Sequence, residues 1–571
     1  MSSVQPSVAT SPEPGVGGSG GRRGFGRIGF WSLVTVGGYL IVFLLLVYPL
    51  FNIFRFSFLD RTTGVPSLSN YREFFTTPYY YRAFVNSMVV AIGGTTGALL
   101  LGIPLAFLTT RFKIFGSSFL STFAVLALLS PPFIGAYAWI TMLGRNGFLR
   151  NILSAIGITV PTIYGPGGII LVFALQYYPF VYLLTSGALK TVDRSLEEAA
   201  ENLGARGRRT FFRVTLPLVI PSVTAGALIA FMMSLANFGT PMILGTSYPV
   251  LPTLAYNFFN SEIGGRPGLA STVSIVLMLC AAGVIFLQRW VAGRRKYSSM
   301  LLNRSIRRRL TGVPNALAHL ASYFIVGLST LPLAVIAVFS FRNTSGPVFV
   351  DGFGLGSYAR IFRDVPRTIT NSLFFSFSAV ILIIFVGTLL GFVIARRKTT
   401  ASKVLDPLLM IPYIVPGTVL GIGFITAFNR HPVMLAGTGA IIVLTYFVRR
   451  LPYSVRSAAS ILSQIDPALE EAAVSLGTPP ARTFRKIALP LMLPGIMSGA
   501  IMSWITSVNE LSATILLYVG RTMTMPIRIY LSVLDGYFGP ASAMSTILLT
   551  VTGLAIFVVN RYASGGESVV V

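Results

Sequence analysis

Residues 197–205 read Glu-Glu-Ala-Ala-Glu-Asn-Leu-Gly-Ala and are followed by a basic run, Arg206 to Arg213, and by Leu216-Pro217. Residues 470–478 read Glu-Glu-Ala-Ala-Val-Ser-Leu-Gly-Thr and lead through Arg482, Arg485 and Lys486 to Leu489-Pro490. Glu198, Gly204, Pro217 and Pro221 therefore recur as Glu471, Gly477, Pro490 and Pro494 at one offset, 471 − 198 = 273. Each copy is a charged island between long apolar segments. The chain is a repeat of two halves, and its fold and function follow from what such an island does between such segments.

The class is set by composition. Hydrophobic residues make up 53% of the chain and charged ones 11%, with a mean hydropathy of +0.75, against about 25% charged residues in an ordinary soluble domain. Apolar runs of about 20 residues, enough to cross about 30 Å of hydrocarbon, fall near 30–54, 83–110, 118–143, 167–188, 216–244 and 268–288, then near 317–341, 370–395, 404–429, 437–459, 489–518 and 541–560. The expected fold is an all-α polytopic membrane protein of about 12 transmembrane helices, arranged as two parallel six-helix repeats. The expected divisions are a disordered cytoplasmic tail over 1–24, rich in Ser, Pro and Gly, a first transmembrane domain over 25–292, a basic cytoplasmic linker over 293–316, and a second transmembrane domain over 317–571.

The net charge of +27 would suggest nucleic acid in a soluble chain. Here the clusters Arg22-Arg23, Arg294-Arg295-Lys296, Arg307-Arg308-Arg309, Arg396-Arg397-Lys398 and Arg449-Arg450 lie on one side of the alternating crossings if the N-terminus is cytoplasmic. That is the positive-inside pattern, and both islands fall on the same inner side. No aromatic-interleaved basic surface accompanies the clusters, so nucleic acid is not an expected partner. A single cysteine, Cys280, and two histidines, His319 and His431, give no basis for a metal site or a disulfide framework.

Within the apolar segments a few residues stand out. The third crossing carries Pro131-Pro132 and the ninth Pro412 and Pro416; proline removes a backbone donor, and non-helical backbone at membrane depth is tolerated only where protein or a water-filled cavity satisfies it. These positions either line a pathway or are packed kinks. Glu510 reads as a carboxylate inside the eleventh crossing, which is costly unless it faces a cavity or a partner. It attracts a cationic cargo, pairs with an arginine or a backbone donor, or sits near the outer interface where water reaches it. Asn509, together with Asn237 and Thr240 of the first half, supplies further polar groups. Pro131, Asn237, Thr240, Pro412, Asn509 and Glu510 are the candidate pathway residues. Glu262 and Asp535, in outer loops, are receptor contacts or solvated charge.

The islands themselves predict compact cytoplasmic knobs. Asp193 and Asp466 suit helix N-caps, and the glutamate pairs 197–198 and 470–471 lie where the helix dipole favours negative charge. Gly204 and Gly477 offer a C-terminal stop at positive φ. A second, shorter helix is expected over 205–214 and 479–487. A helix resting on anionic headgroups would account for the arginines, but not for one long motif recurring with its glycine fixed.

At this point the sequence resembles the membrane permeases of binding-protein-dependent ABC importers, whose hallmark is a Glu-Ala-Ala loop with a following Gly and Leu-Pro. Glu198-Ala199-Ala200 with Gly204 and Pro217, and Glu471-Ala472-Ala473 with Gly477 and Pro490, carry the resemblance, with one more residue between alanine and glycine than the usual pattern. The resemblance implies that Glu197, Glu198, Ala199, Gly204, Glu470, Glu471, Ala472 and Gly477 couple the membrane domain to two cytoplasmic ATP-binding subunits. It also implies an extracytoplasmic substrate-binding protein and a multi-pass place in a bacterial inner membrane with the N-terminus cytoplasmic. The chain has no G-x-x-x-x-G-K-[ST] phosphate loop, so it is expected to be no enzyme, to hold no cofactor, and to leave ATP to its partners. Fusion of both halves in one chain, with Ala236-Asn237-Phe238-Gly239-Thr240-Pro241 and Asn509-Glu510-Leu511-Ser512-Ala513-Thr514, resembles the iron(III) permeases. 2-Aminoethylphosphonate, thiamine or polyamine remain alternative cargoes. An ion-gradient-driven transporter is a weaker alternative, because intramembrane titratable groups are too sparse for a proton relay, and a membrane enzyme lacks an acid–base constellation.

Overall fold

The structure is a computed structural model and describes residues 29–60, 63–192, 194–205, 208–261, 265–294, 307, 309–346 and 348–562. The expected tail over 1–24, Asp193, Arg206, Glu262 and most of the basic linker lie outside the described residues. Among the described residues nine helices are long and apolar enough to cross a membrane, and eleven crossings result when two bent pairs each count as one. The twelfth is Gly439–Gln464, a less apolar helix because it contains Arg449, Arg450 and Arg456.

In chain order the first half crosses at Phe30–Ser57, Pro78–Arg111, the bent pair Ser117–Leu129 and Pro132–Ala155, Pro166–Thr191, Phe211–Leu235 and Pro267–Trp290. The second crosses at Gly312–Phe339, Pro366–Arg396, the bent pair Thr400–Ile414 and Gly417–Ala427, Gly439–Gln464, Pro480–Val508 and Phe538–Val558. The seventh crossing thus begins at Gly312, inside the stretch expected to be linker.

Each half is built on a three-helix core. The second, fourth and fifth crossings pack on one another, as do the eighth, tenth and eleventh. Without a hydrophobic force between helices in lipid, close approach of small residues has to supply contact. A Cβ at Gly226 would lie 2.8 Å from the Cα of Val181, and one at its counterpart Gly499 2.8 Å from the Cα of Ser454. No side chain larger than glycine's fits either crossing point.

The repeat has two registers. Asn86, Arg111 and Pro131 correspond to Asn371, Arg396 and Pro416 at an offset of 371 − 86 = 285, whereas the fourth and fifth crossings and the island between them follow 273. The difference falls between the third and fourth crossings, where the first half has the helix Phe148–Ala155 and the second only the hairpin Asn429–Arg430 with Val433–Met434. Equivalent bonds survive the shift. Asn86 Nδ2 donates to the Pro249 carbonyl at 2.9 Å and Asn371 Nδ2 to that of Met523 at 2.9 Å, while Ser87 and Ser372 each accept a backbone N–H from residue 251 or 525.

The first crossing of each half packs on the opposite half. Trp31 stacks on Phe392 with ring centroids 4.3 Å apart and meets Phe484 edge-on at 5.1 Å, and the Tyr39 hydroxyl donates to the Ala401 carbonyl at 2.7 Å. On the seventh crossing, the Ser329 hydroxyl lies 3.0 Å from that of Tyr178, and Tyr323 donates to the Phe115 carbonyl at 2.8 Å. This exchange makes the two halves one interlocked unit. Large apolar side chains such as Leu40, Phe43 and Phe51 remain exposed on the outer surface, as lipid requires.

Candidate functional site

The two islands form the same structure. Arg194–Asn202 and Ala468–Ser475 are short helices, and Asp466 accepts the backbone N–H of Ala468 at 2.9 Å, stabilising the second at its start. Both end in a paired-bond turn. Ala205 donates to the Ala200 carbonyl at 2.9 Å and Thr478 to that of Ala473 at 3.0 Å, with Gly204 at φ +86° and Gly477 at φ +81°. This is the turn in which a left-handed residue after the helix satisfies its last carbonyls. Space around both glycines is open, so backbone conformation alone demands them.

The paired glutamates divide the work. Arg111, at the end of the second crossing, donates to Glu197 at 2.6 Å, and the Thr215 hydroxyl donates to the same oxygen at 2.8 Å. Arg396, at the end of the eighth, donates to Glu470 at 2.8 Å and to the Ile465 carbonyl at 2.9 Å. The first glutamate of each pair is thus tied to the membrane core, while Glu198, Glu471, Ala199 and Ala472 are exposed. The helices also display leucines. Leu196, Ala199 and Leu203, at i, i+3 and i+7, share one face, and Leu469, Ala472 and Leu476 repeat it. Leu203 is 89% exposed and Leu476 87%. The sequence carries that signal in the matched leucine before each glycine, Leu203 and Leu476.

The expected second helix is not separate. After Arg208–Thr210 and Pro480–Thr483, one wide turn, Phe211–Thr215 or Phe484–Ala488, leads without a break into the fifth or eleventh crossing. Pro217 and Pro490 cannot donate to the turn before them, and the backbone answers with a π-helical turn immediately upstream. The knob is therefore joined rigidly to the helix that leads to the membrane centre.

At that centre lies a cavity of about 310 Å³ lined by both halves. The third crossing bends by 99° at Ser130-Pro131 and the ninth by 105° at Val415-Pro416. Pro131 lines the cavity. Pro412 does not; it is buried within the helix Thr400–Ile414, and Pro416, the counterpart of Pro131, takes the lining position. Carbonyls freed by the first bend need donors, and the Gln176 amide supplies them, reaching Ala127 at 2.9 Å, Leu128 at 3.2 Å and Ser130 at 2.9 Å.

The fifth and eleventh crossings end at Leu235 and Val508, earlier than the apolar runs to 244 and 518 indicate, because the chain turns back into the short helices Gly239–Leu244 and Thr514–Leu517. Asn237 and Glu510 stand in those turns, not inside the crossings, and each accepts the N–H three residues on, from Thr240 at 3.0 Å and from Ala513 at 3.1 Å. Thr240 itself is buried behind the cavity, donating to the Pro132 carbonyl at 3.3 Å. Asn509 bridges the halves by donating to the Leu129 carbonyl at 3.2 Å.

Glu510, 4% exposed, pairs with both Arg449 and Arg450, the latter at 2.6 Å. Of the readings of Glu510, the pairing with arginine is observed, with the Ala513 N–H as a backbone donor beside it. Arg449 and Arg450 are correspondingly not a cytoplasmic cluster. They lie ten residues, about 15 Å, along the tenth crossing from its start at Gly439, well inside the helix. The charge rule misplaced them because their counter-ion comes from 60 residues further on. Their counterparts at the 273 offset are Gln176 and Tyr177, as Asn237 is that of Glu510, and Asn237 donates to the Tyr177 hydroxyl at 2.8 Å. One geometry is thus built twice, neutral in the first half and charged in the second. Among the described residues no group of three or more His, Cys, Asp or Glu could hold a metal ion.

Comparison with known proteins places this architecture. The model of the family described as "Binding-protein-dependent transport system inner membrane component" matches residues 83–297 and 387–564. The "Putative ferric transport system permease protein FbpB 1" of Haemophilus influenzae is 30% identical over 510 residues, covering 86% of this chain and 78% of that one. The "Ferric transport system permease protein FbpB" of Actinobacillus pleuropneumoniae is 29% identical over 532 residues, 90% of this chain and 75% of that one. The two matched segments fall one in each half of the helical repeat, and the chain belongs to the family of binding-protein-dependent transport system inner membrane components.

Proposed function

We propose that the chain is the permease of an ATP-driven importer for iron(III), with the two island helices seated on two cytoplasmic ATP-binding subunits and an extracytoplasmic binding protein delivering the cargo. The observation that carries the coupling is the double construction of the knob: an outward Leu-Ala-Leu face, a glycine turn, and an unbroken run into the helix that ends at the cavity. A partner that moves the knob moves the cavity wall. Iron as the cargo rests on the likeness to the two ferric permeases that align along most of the chain.

In this reading Glu198, Glu471 and the exposed leucines meet the ATPase, and Glu197 and Glu470 transmit the force through Arg111 and Arg396. The N-terminus and both knobs are cytoplasmic, the divisions near 25–292 and 317–571 are the two membrane domains, and ATP is bound only by the partners. A ligand-driven switch requires different contacts in its two states, and a rigid lever meets that requirement. The test is the native mass of the complex isolated from cells expressing the whole operon. One permease with two ATPase subunits is expected, with hydrolysis stimulated by the loaded binding protein; a permease that purifies without any ATP-hydrolysing subunit contradicts the reading.

A further inference from the structure

We infer that the central cavity receives its cargo as an oxygen-rich anion, and that ferric iron passes only inside such an anionic complex, never as the bare cation. This rests on the reading of the chain as a ferric importer and narrows what that importer carries.

The charged groups lining the cavity are Arg449, Arg450 and Glu510. Guanidinium groups stay protonated in proteins, so the lining carries 2 − 1 = +1 with Glu510 ionised and +2 with it protonated. It is positive in either state. The first half adds only Gln176, Tyr177 and Asn237 at the equivalent places, none of them charged. In surroundings of low effective dielectric a like charge a few ångströms away is strongly repelled, and a trivalent cation would meet that repulsion threefold. Ligation is poorly provided as well. Ferric iron is a hard ion that needs several oxygen donors; the single carboxylate present is held by two arginines, and the other side-chain oxygens of the lining, those of Tyr177, Tyr413 and Tyr453 among them, belong to ordinarily neutral groups that do not offset a trivalent charge.

The same groups suit an anion. Two adjacent guanidinium forks match carboxylate or phosphate oxygens, and Glu510 sits on them as an internal counter-ion that a cargo carboxylate or phosphate can exchange with. The cavity of about 310 Å³ has room for roughly ten waters at about 30 Å³ each, which suits a small chelate or a phosphorylated solute. Cationic thiamine and polyamines are disfavoured by the same charge. The sequence hid this, since Glu510 alone looks like a cation site.

The test uses the assembled transporter in ATP-loaded proteoliposomes, with radioactive iron delivered by the binding protein in the presence of labelled phosphate or labelled citrate. The triple variant Arg449→Gln, Arg450→Tyr, Glu510→Asn gives the second half the residues that the first half already packs, and makes the lining neutral. Asn237→Asp reaches neutrality from the other side and leaves the arginine cluster intact. The expected result is joint accumulation of iron and a labelled anion, cut about tenfold or more in both variants, the scale of one unit charge at protein-interior screening. Retained assembly with the ATPase separates that loss from misfolding. Wild-type uptake rates in both variants, or iron entering with neither labelled anion, overturn the inference. Labelled anion entering without iron upholds it and overturns the iron reading instead.

Discussion

Asn237 and Glu510 hold the same place in the two halves, 510 − 237 = 273 residues apart, each receiving the backbone N–H of the third residue on and each engaging the side chain from residue 177 or 450. The same backbone therefore presents a neutral pair on one side of the cavity and an ion cluster on the other. The fold is symmetric and its electrostatics are not.

Glu510→Gln leaves two guanidinium groups facing each other in a buried site. Removing one partner of such a cluster costs about 3–5 kcal/mol, so the purified complex should unfold at a lower temperature and lose transport. Pairing it with Arg449→Gln should recover part of the loss, because residues in one network are not additive. A Glu510→Gln transporter of wild-type stability and rate would mean that the cluster plays no part.

Gly204→Val and Gly477→Val each force a β-branched residue to positive φ, at about 1–2 kcal/mol per site. Open space around both positions means that the fold survives while the turn changes shape. The double variant should keep its ATPase subunits turning over ATP yet lose most uptake, measured as cargo accumulated per ATP hydrolysed.

Leu203→Asp with Leu476→Asp alters two side chains that touch little in the isolated chain. Thermal stability of the permease should stay within about 0.5 kcal/mol of wild type, whereas copurification of the ATPase should fall sharply. Unchanged copurification would place the docking surface elsewhere.

Gln176→Leu removes the amide that serves the carbonyls of Ala127, Leu128 and Ser130. A buried group left unsatisfied costs about 1–3 kcal/mol, and hydrogen exchange at 127–133 should quicken well ahead of exchange in the ninth crossing.

Much of this was legible in the sequence. Apolar length and the doubled island give the crossings and the parallel repeat, because both are periodic and local. What escaped depended on contacts between distant residues. Arg449-Arg450 read as an inner-surface pair until Glu510 is placed beside them. Pro412 and Pro416 were indistinguishable until the bend chose Val415-Pro416. The turn at 236–238 lies in an apolar run with no charge to mark it, and the exchange of the first and seventh crossings rests on Trp31 and Tyr178 meeting residues of the other half.

Accumulation of radioactive iron by proteoliposomes containing the permease, its ATPase subunits and the loaded binding protein tests the central claim most directly. Uptake is predicted only when ATP is on the ATPase side and the binding protein on the other, and to persist when proton and sodium gradients are collapsed. Uptake driven by an ion gradient without ATP would contradict the account.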